Sequence, residues 1–311
     1  MNINFIINNN SNHLLINNEG GGASELLFYN TAKALNGTIF NNFYKNLDSF
    51  NVTTSIVIVQ RNFGLLIDYS KKYSNKYFLW SHDFLENDFS HLSGNYSSEF
   101  INEYFKNNCV TVIAVSDFHK NNLLLHFPDV NIIVIYNALF PNVFPKIKTI
   151  KKNQILFASN WAKGLNNVLK ISESYYKIDK TFKLILLKPS YCNYEPELNY
   201  PFVNVIGNIK NKNEYCKIIS ESICVITTSY PETFGCVFAE SLHLGTPVIA
   251  DDNVCAGFHE FIPDNFKINF NEIDKVVIRI QQIKINNPNV SLPLEFYENN
   301  VINEWKNLLV V

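Results

Sequence analysis

A chain of 311 residues suits two domains of about 150 residues, each large enough for its own core. Hydrophobic residues make up 47% and charged residues 17%, as in soluble globular proteins, and a net charge of −2 leaves no basic footprint, so nucleic acid is not an expected partner. No run approaches the roughly 18 apolar residues of a membrane span. The N-terminus lacks the basic, apolar and small-residue regions of a signal peptide, so a cytoplasmic protein is expected.

Ile3 to Ile7 reads as a short buried strand followed by an Asn-rich loop. Glu19-Gly20-Gly21-Gly22-Ala23-Ser24-Glu25 then opens an apolar-periodic helix through Leu26, Leu27, Ala32 and Leu35. Three glycines at a helix start let an anionic group approach backbone N–H donors; taken alone they are equally a flexible turn. The run is not G-x-G-x-x-G, so a dinucleotide-binding fold is not indicated. Val52 to Val59 and Tyr77 to Trp80 are the next strands. The second ends in Trp80-Ser81-His82-Asp83, at a carboxyl end where open α/β sheets place ligands. A His beside an Asp there is either a catalytic pair or a hydrogen-bonded structural histidine. Thr111 to Val115 is a strand, Ser116 an N-cap, Asp117 to His126 a helix, and Ile132 to Tyr136 a strand ending at Asn137. Strands alternating with helices over short links predict a parallel sheet.

Phe140 to Lys152, with Pro141, Pro145 and several lysines, shows no periodicity and is read as an interdomain linker. Gln154 to Ala158 starts a new strand, followed by Ser159-Asn160-Trp161-Ala162-Lys163-Gly164 and a helix through Val168, Leu169 and Ile171. Lys163 stands where a point charge could meet a diphosphate, or is a surface lysine. Phe182 to Leu187 and Phe202 to Ile206 are strands, Gly207-Asn208-Ile209-Lys210 a loop, and Lys212 to Ser220 a helix. Ile223 to Thr228 reads as a buried strand that Pro231 bars from continuing. Phe234 to Leu244 is the next helix, with Thr233 as N-cap and Gly245 at its C′ position, and Pro247 to Ala250 the next strand. Leu294 to Val311 reads as a terminal helix carrying Trp305 and Leu308. The six cysteines, Cys109, Cys192, Cys216, Cys224, Cys236 and Cys255, show neither C-x-x-C nor zinc spacing and read as reduced core residues.

Glu232 lies in the loop before a helix and Glu240 inside that helix. A phosphate at the helix N-terminus would meet backbone N–H groups and the positive dipole end. Carboxylates beside it cannot contact phosphate, because like charges repel; they would accept hydrogen bonds from hydroxyls. A phosphate flanked by hydroxyls suggests a nucleotide sugar. A capped helix with two surface glutamates has the same spacing.

Pro231-Glu232-Thr233-Phe234-Gly235-Cys236-Val237-Phe238-Ala239-Glu240, continuing to Ala250, resembles the donor-site signature of retaining GT-B glycosyltransferases of the family-four, group-1 type. The resemblance implies two Rossmann-like parallel-sheet domains with an interdomain cleft: an acceptor-side domain at 1–145, a nucleotide-sugar domain at 146–290, and a C-terminal helix at 291–311 packing back on the first. It implies that Glu232 approaches the donor sugar and Glu240 binds the ribose diol, with the backbone of Thr233, Phe234, Gly235, Cys236 and Val237 facing sugar and phosphate. Gly21 and Gly22 would face donor phosphate and acceptor, and His82 the transferring sugar. Asn160 and Lys163 would meet the diphosphate, and Gly207 and Ile209 would carry the base.

Two positions depart from the family pattern. Ser159 and Asn160 stand where the family has an Arg, with Arg61 as a candidate substitute, and Ala138 replaces a glycine. No D-x-D motif stands out; Asp251-Asp252-Asn253 is the nearest string, so no metal and no cofactor beyond the donor are expected. The expected partners are a UDP- or GDP-sugar donor and a glycan, lipid or small-molecule acceptor, which leaves room for peripheral membrane contact. The alternative is a catalytically inactive nucleotide-sugar binder.

Overall fold

The computed structural model describes residues 2–7, 23–41, 55–73, 75–85, 90–188, 197–207, 209, 211–228 and 230–310. Two compact units divide the chain: residues 1–138 with 295–311, and residues 139–294. Gly21 and Gly22, with Asn208 and Lys210 of the loop that begins at Gly207, lie outside the described residues.

Each unit is built on a six-stranded, all-parallel sheet. In the first unit the strands are β1 (Asn2–Ile7), β2 (Thr38–Asn41), β3 (Ser55–Gln60), β4 (Lys76–Trp80), β5 (Thr111–Ala114) and β6 (Asn131–Val134), ordered β2-β1-β3-β4-β5-β6. The strands are near-continuous apolar runs because helices cover both faces. Val57, Val59, Leu79 and Val112 enter one core with Phe63, Phe105 and Phe127, whose rings lie 5.2–6.0 Å apart around Phe63. The helix Glu298–Leu309 belongs to this unit, and its fully buried Trp305 packs edge-on against Trp80 with centroids 4.9 Å apart.

The second unit carries β7 (Gln154–Phe157), β8 (Lys183–Leu187), β9 (Val203–Ile206), β10 (Cys224–Thr227), β11 (Val248–Asp251) and β12 (Lys267–Ile268), ordered β12-β11-β10-β7-β8-β9. Read from β9, this is the Rossmann order, in which the direction of winding reverses between the first and fourth strands of the unit. β7 and β10 are those neighbours, paired through Ile155 with Cys224 and Leu156 with Val225.

Residues 140–152 form no helix or strand, and they lie within the second unit. The cysteine expectation holds only in part. The five described cysteines are free, and Cys216 and Cys224 are buried, but Cys109 and Cys255 are exposed. Among the described residues no helix is long and apolar enough to cross a membrane.

Candidate functional site

Loops leaving the carboxyl ends of β7 and β10 emerge side by side, where a doubly wound sheet opens a crevice. The β7 loop is self-supporting. Asn160 Oδ1 accepts from the Ala162 amide at 3.0 Å, the Lys163 amide donates to Asn160 O at 2.8 Å, and Trp161 Nε1 donates to Leu187 O at 3.0 Å. Gly164 closes it in the left-handed region at φ 94°, and a Cβ there would stand 1.6 Å from Thr228 Oγ1. Only glycine allows the two loops to approach so closely.

That approach delivers Lys163 to the β10 loop. Its ammonium donates to Pro231 O at 2.7 Å and lies 3.5 Å from Glu232 Oε2. The Glu232 backbone is tied in turn, its carbonyl accepting from the Gly257 amide at 3.0 Å. Phe234 packs on Phe261 and Phe238 on Phe258, so the turn after β11 supports the loop.

The helix that follows is Cys236–His243, not 234–244, and its N-cap is Gly235 rather than Thr233. Gly235 adopts φ 87° and supplies no side-chain cap; Thr233 lies buried two residues earlier. Gly235 itself offers no side-chain acceptor at the helix start, where the orphan N–H groups and positive dipole end gather. A Cβ on Gly235 would stand 2.5 Å from the Phe238 ring.

Glu240 is 8% exposed, and its Oε2 accepts from the Tyr215 hydroxyl at 2.5 Å. Burial raises its pKa above the ordinary carboxylate value, while Lys212 and the Tyr215 hydrogen bond pull against that rise. Lys212 Nζ sits 4.9 Å from the Phe144 ring centroid and 5.2 Å from that of Tyr215. Gly207 follows β9 with open space where a Cβ would be, and Ile209 is partly buried. Asp251, of the string weighed as a metal motif, has its Oδ1 occupied by Asn253 and by the Phe270 amide.

In the first unit a second polar cluster sits at the carboxyl ends of β3 and β4. Arg61, at φ 65° just past β3, directs its guanidinium to Asp83, with Nε 2.7 Å from Oδ2 and Nη2 on Oδ1. Its Nη1 lies 3.4 Å from Glu25 Oε1. The charge of Arg61 is thus shared between two carboxylates of its own unit, which argues against its standing in for the arginine absent at Ser159 and Asn160. Burial works to raise the Asp83 pKa, but Arg61 holds the carboxyl below its ordinary range.

His82 is 9% exposed, with its ring centroid 4.9 Å from that of Trp80. Burial, then the charge of Arg61, push its pKa down to about 3, so the imidazole is neutral near pH 7. Its loop is clamped from the helix Asp117–His126. The Val115 amide donates to His119 Nδ1, which makes Nε2 the protonated nitrogen, donating to Asp83 O at 2.9 Å. Asn122 exchanges both hydrogen bonds with the Leu85 backbone, at 2.8 and 3.1 Å. Sequence reasoning missed this clamp, although His119, Asn122 and His126 share one helix face at i, i+3, i+7. It also missed Tyr215, for which no local signal exists.

No family model matches the chain, and no curated protein matches it. Solved structures do. A sucrose-phosphate synthase from Thermosynechococcus elongatus superposes with a TM-score of 0.72 over 99% of this chain and 98% of its own, at 12% identity. A trehalose-6-phosphate protein from E. coli bound with UDP-2-fluoro glucose gives 0.67 over 100% and 98%, at 9% identity. The fold is GT-B. A pneumococcal O-GlcNAc transferase, GtfA, in complex with UDP and GlcNAc, matches at 0.61 and 18% identity; this chain covers 58% of that protein's length. At such identities the likeness extends to the GT-B architecture alone.

Proposed function

We propose that this GT-B chain is a retaining glycosyltransferase that moves a sugar from a UDP- or GDP-sugar to a glycan, lipid or small-molecule acceptor without a metal ion. The observation that carries the reading is the junction of Lys163 with Glu232 at the winding reversal of the second sheet, beside a glycine-capped helix start. The complexes with UDP and with UDP-2-fluoro glucose among the similar folds support a nucleotide-sugar donor.

In this reading the departing diphosphate is neutralised by the helix dipole, the amides of Gly235 to Val237 and the Lys163 ammonium. Glu232 accepts from donor-sugar hydroxyls and Glu240 from the ribose, while Gly207 and Ile209 carry the base. His82, neutral, exchanges hydrogen bonds with the sugar and is no general acid near pH 7. The sugar develops oxocarbenium character and the acceptor attacks the face the diphosphate leaves, so Glu232 is a hydroxyl acceptor and not a nucleophile.

One observation favours the inactive-binder alternative: Arg61 is engaged by Asp83 and Glu25, and Ser159 and Asn160 replace the resembling family's arginine. A panel of nucleotide sugars decides between them. Release of UDP or GDP from one donor, lost in Lys163→Ala and Glu240→Ala, is expected for the transferase. Nucleoside-diphosphate binding without cleavage of any donor would leave only the binder.

A further inference from the structure

Glu240 has one oxygen already engaged, and its partner lies on the helix Lys212–Glu221, which follows directly on the loop beginning at Gly207. Building on the nucleotide-sugar reading, we infer that Tyr215 is a positioning residue that orients Glu240 toward the ribose, making the site selective for ribonucleotides over 2′,3′-dideoxyribonucleotides.

The geometry makes the tyrosine a rigid donor. Asn211 caps its helix, with Oδ1 accepting from the Asn213 and Glu214 amides at 2.8 and 3.4 Å. Phe144 stands 6.5 Å away, and Lys212 spans both rings. Burial and the neighbouring Glu240 keep the phenol protonated, so the hydroxyl donates and the carboxylate accepts. Fixing Oε2 fixes the plane of the carboxylate and therefore the direction of the lone pairs on Oε1. Lys212 and the phenol together counter the burial that would neutralise Glu240. A buried carboxylate so aimed rewards a hydroxyl, and is left unsatisfied by a ligand that lacks one. Tyr215 rides on the helix Lys212–Glu221, which follows the loop proposed to carry the base.

The test is calorimetric titration of UDP and GDP, and of their 2′,3′-dideoxy counterparts, into wild type, Tyr215→Phe, Glu240→Gln and the double variant. Tyr215→Phe is expected to weaken the ribonucleotide about tenfold, near the lower end for a charged hydrogen bond, and to leave the dideoxynucleotide within about twofold. In the Glu240→Gln background the same substitution should have no further effect. Equal losses on both nucleotides, or no loss on either, overturn the inference while the nucleotide reading stands. Failure of wild type to bind either ribonucleotide overturns that reading and the inference with it. Thermal melts confirm that each variant is folded, since Phe keeps the ring.

Discussion

Lys163 and Glu232 stand 3.5 Å apart, each on the loop that leaves one of two adjacent parallel strands of the second unit. Both loops are fixed by backbone: the lysine also donates to Pro231 O, and Gly164 lets Thr228 press against its chain. The cation therefore sits in a defined place, which is what electrostatic preorganisation for the proposed diphosphate would require.

Lys163→Ala should lower donor turnover by about 10²-fold or more and weaken nucleoside-diphosphate binding. Lysine and glutamate are both partly exposed, 34% and 25% by side chain, so their pairing should contribute no more than about 1 kcal/mol to stability. Steady-state kinetics beside thermal unfolding checks both halves; a large loss of stability would make Lys163 a structural residue.

Gly164→Ala should be damaging in a different way. The new Cβ meets Thr228 Oγ1 in a left-handed backbone, and loop strain of about 2–3 kcal/mol should appear as lower stability together with lost nucleotide binding. Chemical denaturation of the variant measures the first, and titration with UDP or GDP the second. A stable variant that binds normally would show that the two loops do not depend on each other.

Trp305→Ala should cost about 3–5 kcal/mol, because it removes a fully buried indole packed on Trp80. Urea denaturation would show this as a fall in midpoint. A loss under 1 kcal/mol on the same scale as a surface substitution would mean the C-terminal helix contributes little to the first unit.

Acid should weaken the first unit through His119. Burial pushes its pKa down to about 4, below the ordinary value of about 6.5, so the unfolded chain binds the proton more readily. Stability is then complete above about pH 6.5 and declines toward pH 4, by up to about 1.4 kcal/mol per pH unit for this group. Urea melts between pH 7.5 and 4.5 should show a flatter profile for His119→Asn than for wild type. Parallel profiles would remove His119 from the account.

Asn122→Ala should loosen the loop after β4, since it removes the partner of the Leu85 amide and leaves His126 Nε2 on the Leu85 carbonyl. A loss of about 2 kcal/mol is expected from the unsatisfied Leu85 amide, with a fall in donor turnover if His82 acts from that loop. Hydrogen exchange at the Leu85 amide reports the loosening directly.

Much of this protein was readable in one dimension. Strands alternating with helices implied a parallel sheet, the resemblance to GT-B glycosyltransferases implied two, and Glu232 with Glu240 stood out because the glycines and prolines around them fix a strand–loop–helix. Other elements escaped for local reasons. The helix Phe63–Ser70 buries six of its residues, so it has no polar stripe to give it a period. Thr38–Asn41 is too short to read. The helix Ile273–Asn286 buries Val276, Val277, Ile280 and Ile283, a helical period present in the sequence itself. Gly235 displaced Thr233 as the cap because a positive φ, unreadable from residue type alone, was already placed there. Arg61 with Asp83, Tyr215 with Glu240, and His119 with the Asp83 backbone were set only by tertiary structure. Each joins segments distant in sequence whose meeting depends on strand order and helix orientation. Local propensity determines which elements form, but sheet order decides which side chains meet, and so decides the charge and direction of each functional group.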